Sequence, residues 1–252
     1  MHCRIATRKT LDLVRSNCEK ARPFGLFHSI IVFPPQPSKG EQTRERILDA
    51  AQAIASREGL EGLTIGSIAE RLGMSKSGVF AHFGSREDLQ IAVIDDYARL
   101  FLDAVFFPAL KLPRGLPRLT AMFENWLDRI QFVEIPHGCV FVSGAVEFDD
   151  KEGPVRDRMV AVNRAWQGEM HKAAAQAIEA GHLSKDCDPE QLVFELYGLV
   201  LSLHHDARLL RDARATARAR VAFARTIGYY ALPAATRRAK KVEGKAAARL
   251  VA

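Results

Sequence analysis

Between Thr64 and Leu89 the stretch TIGSIAERLGMSKSGVFAHFGSREDL contains three helix starts in quick succession, and no other feature restricts the fold as tightly. Thr64, Ser75 and Ser85 each carry a side-chain oxygen able to accept from the unpaired backbone N–H groups of a helix's first turn. Gly73 closes the first of these helices. Glu87 and Asp88 sit in the first turn of the last, where carboxylates favour the helix dipole. Ile65, Ile68, Ala69 and Leu72 form one apolar face, and Val79 and Phe83 point inward from the next segment. Upstream, Ile47, Ala51 and Ile54, flanked by Leu48 and Ala55, recur at helical spacing until Gly59 stops the run. A sequence so punctuated must fold as short helices braced by longer ones.

Two short helices separated by a glycine-containing turn, backed by a longer helix, predict a helix-turn-helix whose second member can enter the DNA major groove. Its first turn presents Ser75, Lys76, Ser77 and Gly78, small or hydrogen-bonding residues that allow close approach to phosphates and base edges. Lys76 is the foremost contact, because a lysine there has few structural duties. Phe80 divides between core and DNA contact, His82 between packing and DNA contact, and Arg86 is placed to meet a phosphate.

The stretch TRERILDAAQAIASREGLEGLTIGSIAERLGMSKSGVFAHFGSREDLQIAVIDDY, positions 43 to 97, resembles the N-terminal domain of the TetR/AcrR transcriptional regulators in the order of its alanine, glycine, threonine, serine and aromatic positions. The resemblance implies an all-α fold: a three-helix DNA-binding domain, then a larger helical domain that dimerises and binds a small ligand. It also implies DNA contact for Thr64, Ser75, Lys76, Ser77, Gly78, Phe80 and Arg86. The sequence departs at Phe80, where such proteins commonly carry a tyrosine, and at Ala81, often a larger polar residue, so fewer backbone contacts are expected.

Charge is distributed unevenly. The net +6 consists of +5 over residues 1–40, −2 over 41–90, −6 over 91–205 and +9 over 206–252. The basic excess lies at the two ends, so whole-chain charge says little about DNA and local placement must decide. Residues 1–39 lack sustained periodicity and contain Pro34, Pro35 and Pro37; they read as an extension outside the fold. Their apolar run FGLFHSIIVF, 24 to 33, is too short to span a bilayer. Cys3, Cys18, Cys139 and Cys187 show no disulfide or metal spacing, which suits a reducing cytoplasm. The expected domains are the extension over 1–39, the helix-turn-helix domain over 40–84, a helical effector and dimerisation domain over 85–232, and a basic tail over 233–252.

The periodicity predicts helices near 85–107, 116–133, 139–148, 154–180, 189–209 and 213–231, separated by FPALKLPRGLP, EIPHG, DDKEGP, GHLSKDCDP and RDA. LVFELYGLVLSLHH, 192 to 205, is apolar nearly all round, and Val221, Ala224, Ile227 and Ala231 line one side of the next helix. Surplus apolar surface on these last two helices predicts a four-helix homodimer interface within 189–231. Phe101, Trp126, Cys139, Phe141, Trp166 and Tyr197 are the candidate walls of an effector cavity, with His137, Asn163 and His171 as polar contributors.

Other classes fit less well. His137 and Cys139 could make an activated nucleophile, but no third orienting residue stands out. His171, His182, Cys187, His204 and His205 match no familiar metal spacing, since adjacent helical histidines diverge by about 100°. The expectation is therefore a non-enzymatic regulator without cofactor or metal. It binds double-stranded operator DNA as a homodimer, answers to a small, mostly apolar effector, and makes no membrane contact. A metal-responsive regulator and an architectural DNA binder are the alternatives.

Overall fold

The computed structural model describes residues 38–233. The helical run expected near the start is α1 (Lys39–Glu58). The short helices α2 (Ile65–Leu72) and α3 (Lys76–Phe83) follow, and α4 (Arg86–Phe101) continues through a π-helical turn, Leu102–Phe106, into Phe107–Leu110. Next come α5 (Leu116–Arg129), extended by a second π turn, Ile130–Glu134, and Ile135–His137; then α6 (Val140–Phe148) and α7 (Pro154–Glu179). The last two are α8 (Pro189–His204), with a π-helical continuation at His205–Leu209, and α9 (Ala215–Tyr230). The described residues contain no strand; Leu183 and Ala231 form an isolated bridge. Residues 1–37 of the extension expected over 1–39, and residues 234–252 of the basic tail, lie outside the described residues.

The local chemistry read from the sequence operates as expected. Thr64 accepts from the Ser67 N–H at 3.0 Å while Ser67 Oγ accepts from the Thr64 N–H at 3.1 Å, a reciprocal capping box. Ser75 and Ser85 accept from the N–H groups of Gly78 and Asp88, each at 3.0 Å. Gly73 adopts φ 63°, ψ 33° and closes α2.

Two segments expected as connections are helical. FPALKLPRGLP begins inside the α4 continuation and EIPHG inside that of α5, although both contain proline. In each case a π turn ends two residues before the proline, Pro108 or Pro136, and its hydrogen bonds run to the fifth residue back: Phe107 N–H to Leu102, Ile135 N–H to Ile130. The wider turn shifts the register by one residue and lets the helix pass a residue without an N–H. The Val105 carbonyl in the disturbed stretch accepts instead from Asn125 Nδ2 at 3.0 Å.

Two apolar cores result. One joins the end of α4 with α5, most of α7, α8 and α9, through Phe101, Met122, Phe123, Trp126, Met170, Leu196 and Phe223. The other joins α1 to α4 but does not stop at the expected boundary after residue 84: Leu89, Val93 and Tyr97 of α4 belong to it, as do Cys139, Val140, Phe148, Val155 and Met159. Phe141 packs against both. The α9 stripe also divides. Ile227 packs on the first core with Ala219 and Phe223, whereas Val221 and Ala224 face outward and Ala231 is exposed.

The turn between α5 and α6 is tied to α1 by a backbone approach only glycine allows. Gly138 has φ 103°, and a Cβ there would lie 1.6 Å from the Ser56 carbonyl oxygen, whereas one on Gly73 would meet nothing within 4 Å. Gly73→Ala should cost about 1 kcal/mol of left-handed strain. Gly138→Ala should cost more than about 3 kcal/mol, since strain of ~1–3 kcal/mol is joined by overlap with backbone. Denaturant melts of the two variants check the ranking.

Candidate nucleic-acid interface and internal cavity

The N-terminal ends of α2 and α3 lie side by side on one surface. Thr64, Ser75, Lys76 and Ser77 are exposed there, and Gly78 is partly covered. Lys76 extends back over the first turn of α2: a Cβ on Gly66 would be 3.5 Å from its Cε and 3.7 Å from Thr64 Oγ1. The Ser75 and Ser77 hydroxyls are 3.1 Å apart. Two helix starts, each with a short hydroxyl residue, and one lysine thus converge on one face, an arrangement able to take phosphate oxygens and base edges. Val79 and Phe83 are buried as expected, with the Arg44 guanidinium 4.8 Å from the Phe83 ring. Phe80, balanced by sequence between core and surface, is 55% exposed, and His82 is half-buried beside Phe83.

Arg86 is engaged differently from the expectation. Its Nε donates to the Leu63 carbonyl at 2.9 Å and its Nη2 to the Glu61 carbonyl. The guanidinium ties the start of α4 to the loop before α2, and this backbone work competes with any phosphate contact.

The six proposed effector residues, on five helices and at the turn before α6, come together. Phe101, Trp126, Cys139, Phe141, Trp166 and Tyr197 line a single cavity with Glu134, Val142, Val162, Asn163, Val200, Leu201 and His204. The aromatic walls meet edge to face: Phe101 against Trp166 at 4.9 Å between centroids, Trp126 against Trp166 at 5.5 Å and Trp126 against Tyr197 at 5.4 Å. As it stands the cavity encloses about 20 Å³, room for a water molecule. Of the polar contributors expected, only Asn163 reaches it, accepting from the Tyr197 hydroxyl at 2.6 Å; His137 is exposed and His171 lies elsewhere. The Trp166 indole N–H is buried without a hydrogen-bond partner.

One end of the cavity is more polar than the sequence suggested. Glu134 is fully buried, and its Oε1 accepts from the Tyr97 hydroxyl at 2.9 Å and from Arg129 Nε at 3.0 Å. The Arg129 guanidinium also stacks 4.8 Å from the Tyr97 ring centroid. Burial opposes the charge on Glu134, but the neighbouring His204, Arg129 and Tyr97 together outweigh it and hold the carboxyl below its ordinary range. Burial, with Glu134 nearby, pushes the Cys139 thiol up to about 12, and burial does the same to the Tyr197 hydroxyl. Cys139 is therefore not the activated thiolate a nucleophile needs, and it is buried while His137 is exposed.

Of the metal candidates weighed from sequence, His204 alone belongs to the set that gathers. Among the described residues, the set of three or more His, Cys, Asp or Glu side chains whose ligand atoms all lie within 4.8 Å is Glu134, Cys139 and His204. His204 belonged to the earlier set; Glu134 was missed altogether, and only its place in the apolar run IQFVEIP hinted at burial.

Comparison with known proteins places both halves of the chain. The family described as "Bacterial regulatory proteins, tetR family" matches residues 47–93, and "Tetracyclin repressor-like, C-terminal domain" matches residues 115–223. The HTH-type transcriptional regulator SrpR of Pseudomonas putida is 27% identical over 185 residues, 71% of this chain and 81% of that protein. The HTH-type transcriptional repressor AcnR of Corynebacterium glutamicum is 35% identical over 63 residues, 25% of this chain and 34% of its own length. A TetR-family regulator structure from Cytophaga hutchinsonii superposes with TM-score 0.68 at 17% identity, covering 79% of this chain and all of the other.

If Arg86 acts through the two carbonyls, Arg86→Ala should lower stability by roughly 1.5–3 kcal/mol, the range for charged hydrogen bonds. The salt dependence of DNA binding should stay close to that of the wild type. Thermal melts alongside binding curves at several salt concentrations separate the two effects.

Proposed function

The chain belongs to the TetR family of DNA-binding transcriptional regulators, and we propose that it is a repressor that binds a pseudo-palindromic operator as a homodimer and is released by a small, mostly apolar effector entering the cavity. The observation that carries this reading is the position of α6. Its Phe141, and Cys139 just before it, wall the cavity, while its Val140 and Phe148 pack in the core that supports α2 and α3. A ligand that spreads the walls must displace a helix on which the DNA-reading unit rests. Helix α4 adds a second link: it starts at Arg86, beside the reading helix, and ends at Phe101 in the cavity wall.

The wall chemistry favours an aromatic or apolar molecule, with the unpaired Trp166 N–H as one donor for an acceptor atom. Effector and operator oppose each other by the same factor, typically ~1–3 kcal/mol. On α3, Lys76, with Thr64, Ser75, Ser77, Gly78, Phe80 and His82 around it, is the reading residue we assign first.

Dimer formation follows from surface the single chain leaves uncovered. Phe194 (74% exposed) and Leu201 (47%) lie seven residues apart on α8, with Gly198 between them on the same face. On α9, Ala217, Val221, Ala224 and Gly228 make a parallel small-residue stripe that is exposed throughout. Leu199, in contrast, packs partly buried against its own core. Two copies joined through these stripes form a four-helix seam.

The test is operator selection from random duplexes, followed by operator affinity with and without each ligand that raises the protein's melting temperature. Stabilising ligands should weaken operator binding; if none does, the cavity is not a switch. Lys76→Ala should weaken operator binding by about 1–3 kcal/mol if it reads a base, or lower the salt slope by about 1 per half-site if it meets phosphate alone. Phe194→Glu should leave the fold intact, because that side chain is already exposed, and should yield a monomer with lost operator affinity by sedimentation and gel shift. A variant that remains a full-affinity dimer would place the interface elsewhere.

A further inference from the structure

An apolar effector leaves the polar end of the cavity unused. There Glu134, Cys139 and His204, each at most 5% exposed, bring a carboxylate oxygen, a thiol sulfur and an imidazole nitrogen within 4.8 Å of one another. The two oxygens of Glu134 have different surroundings. Oε1 is held by Tyr97 and Arg129, whereas Oε2 stands 3.0 Å from His204 Nε2 without the alignment of a hydrogen bond. Neither ring nitrogen of His204 has a hydrogen-bond partner, and neither does Oε2. Buried polar atoms left in this state are costly and call for an explanation. A carboxylate oxygen, an imidazole nitrogen and a thiol sulfur gathered within this range can all turn to a common third point.

We propose that Glu134, Cys139 and His204 bind one thiophilic divalent transition-metal ion of the zinc class, with a fourth coordination position open to the aromatic cavity. The donor set is the first reason: sulfur, nitrogen and one carboxylate oxygen select such an ion over magnesium or calcium, which require oxygen ligands. Scale is the second. Bonds of ~2.0–2.3 Å in a tetrahedral site hold the ligand atoms roughly 3.3–3.6 Å apart, a spacing these side chains reach with small adjustments. The third reason is the outer shell. Tyr97 and Arg129 fix Glu134 through the oxygen turned away from His204, the outer-shell role that orients ligating carboxylates.

Charge is balanced as follows. Arg129 already neutralises Glu134. As the metal–sulfur bond forms, the Cys139 proton passes to solvent, and the thiolate and carboxylate offset the two charges of the ion. The excess positive charge left by Arg129 makes the open position one for water or for a lone-pair donor atom of the effector. The proposal depends on the cavity alone, and it stands or falls whether or not the cavity controls operator release.

The chain has two tryptophans, Trp126 and Trp166, and both line this cavity. Full-length protein freed of metal with a chelator is titrated with Co²⁺ and then with Zn²⁺, while absorbance and tryptophan emission are recorded. The expected result is one Co²⁺ per chain, with a near-ultraviolet thiolate-to-cobalt charge-transfer band, visible bands of tetrahedral intensity, quenched emission, and loss of all three on zinc addition. Cys139→Ser, a near-isosteric change, should abolish the charge-transfer band. His204→Gln should weaken Co²⁺ binding at least about tenfold, with circular dichroism confirming that both variants remain folded. If Cys139→Ser does not fold, the Co²⁺ affinity of His204→Gln carries the test, and if His204→Gln does not fold, the charge-transfer band of Cys139→Ser does. The proposal is overturned by the absence of a stoichiometric band, by a band that survives Cys139→Ser, or by one that disappears in Cys187→Ser instead.

Discussion

A carboxylate without access to water holds the centre of this protein together. Glu134 accepts from Tyr97 on α4 and from Arg129 on its own helix, and it faces His204 at the end of α8. A lone buried charge would cost several kcal/mol; paired and hydrogen-bonded, it becomes a point at which three helices must keep register. Because the cavity opens beside this point, its polar end is fixed by the same bonds that set the helix arrangement. Tyr97 extends the linkage, since its ring belongs to the core beneath the DNA-reading helices while its hydroxyl reaches Glu134. A displacement of the carboxylate is therefore felt on both sides.

The division into two cores with α6 shared gives the proposed coupling a mechanical form. Closely packed interiors shift between discrete arrangements rather than deform smoothly. Gly138, the Ser56 carbonyl above it and the Glu147 carboxylate that accepts from the Glu61 N–H at 2.8 Å hold both ends of α6 against α1 and the loop before α2. With its ends so fixed, α6 would carry the reading unit with it when an effector expands the cavity in the proposed switch.

Much of this could be read from the residues, for reasons of range. Caps, glycine stops and apolar faces are local chemistry, so Thr64, Ser75, Ser85 and the spacing of α2 and α3 were legible. The six cavity residues were legible too, because large apolar side chains on the inner faces of amphipathic helices have to meet. The Arg129–Glu134 pair was not. Residues five apart lie well round an α-helix from each other, and only the π turn over Ile130–Glu134 brings them to one side. The same turn hides Pro136, and its counterpart hides Pro108, inside helices that proline appeared to end. On α9, small residues occupy both the buried and the exposed face, so composition could not say which one the core would take.

The cavity's walls differ in what else they do. Trp126, Trp166, Tyr197 and Val200 belong to the first core alone, whereas Phe141 also packs on the second. Substitution at the first group alters what the cavity accepts without touching the support of the reading helices, while substitution at Phe141 alters both. In the proposed switch, chemical taste and transmission thus fall to separable residues, which would leave this chain free to acquire a new inducer under selection while the helix proposed to relay the signal stays as it is.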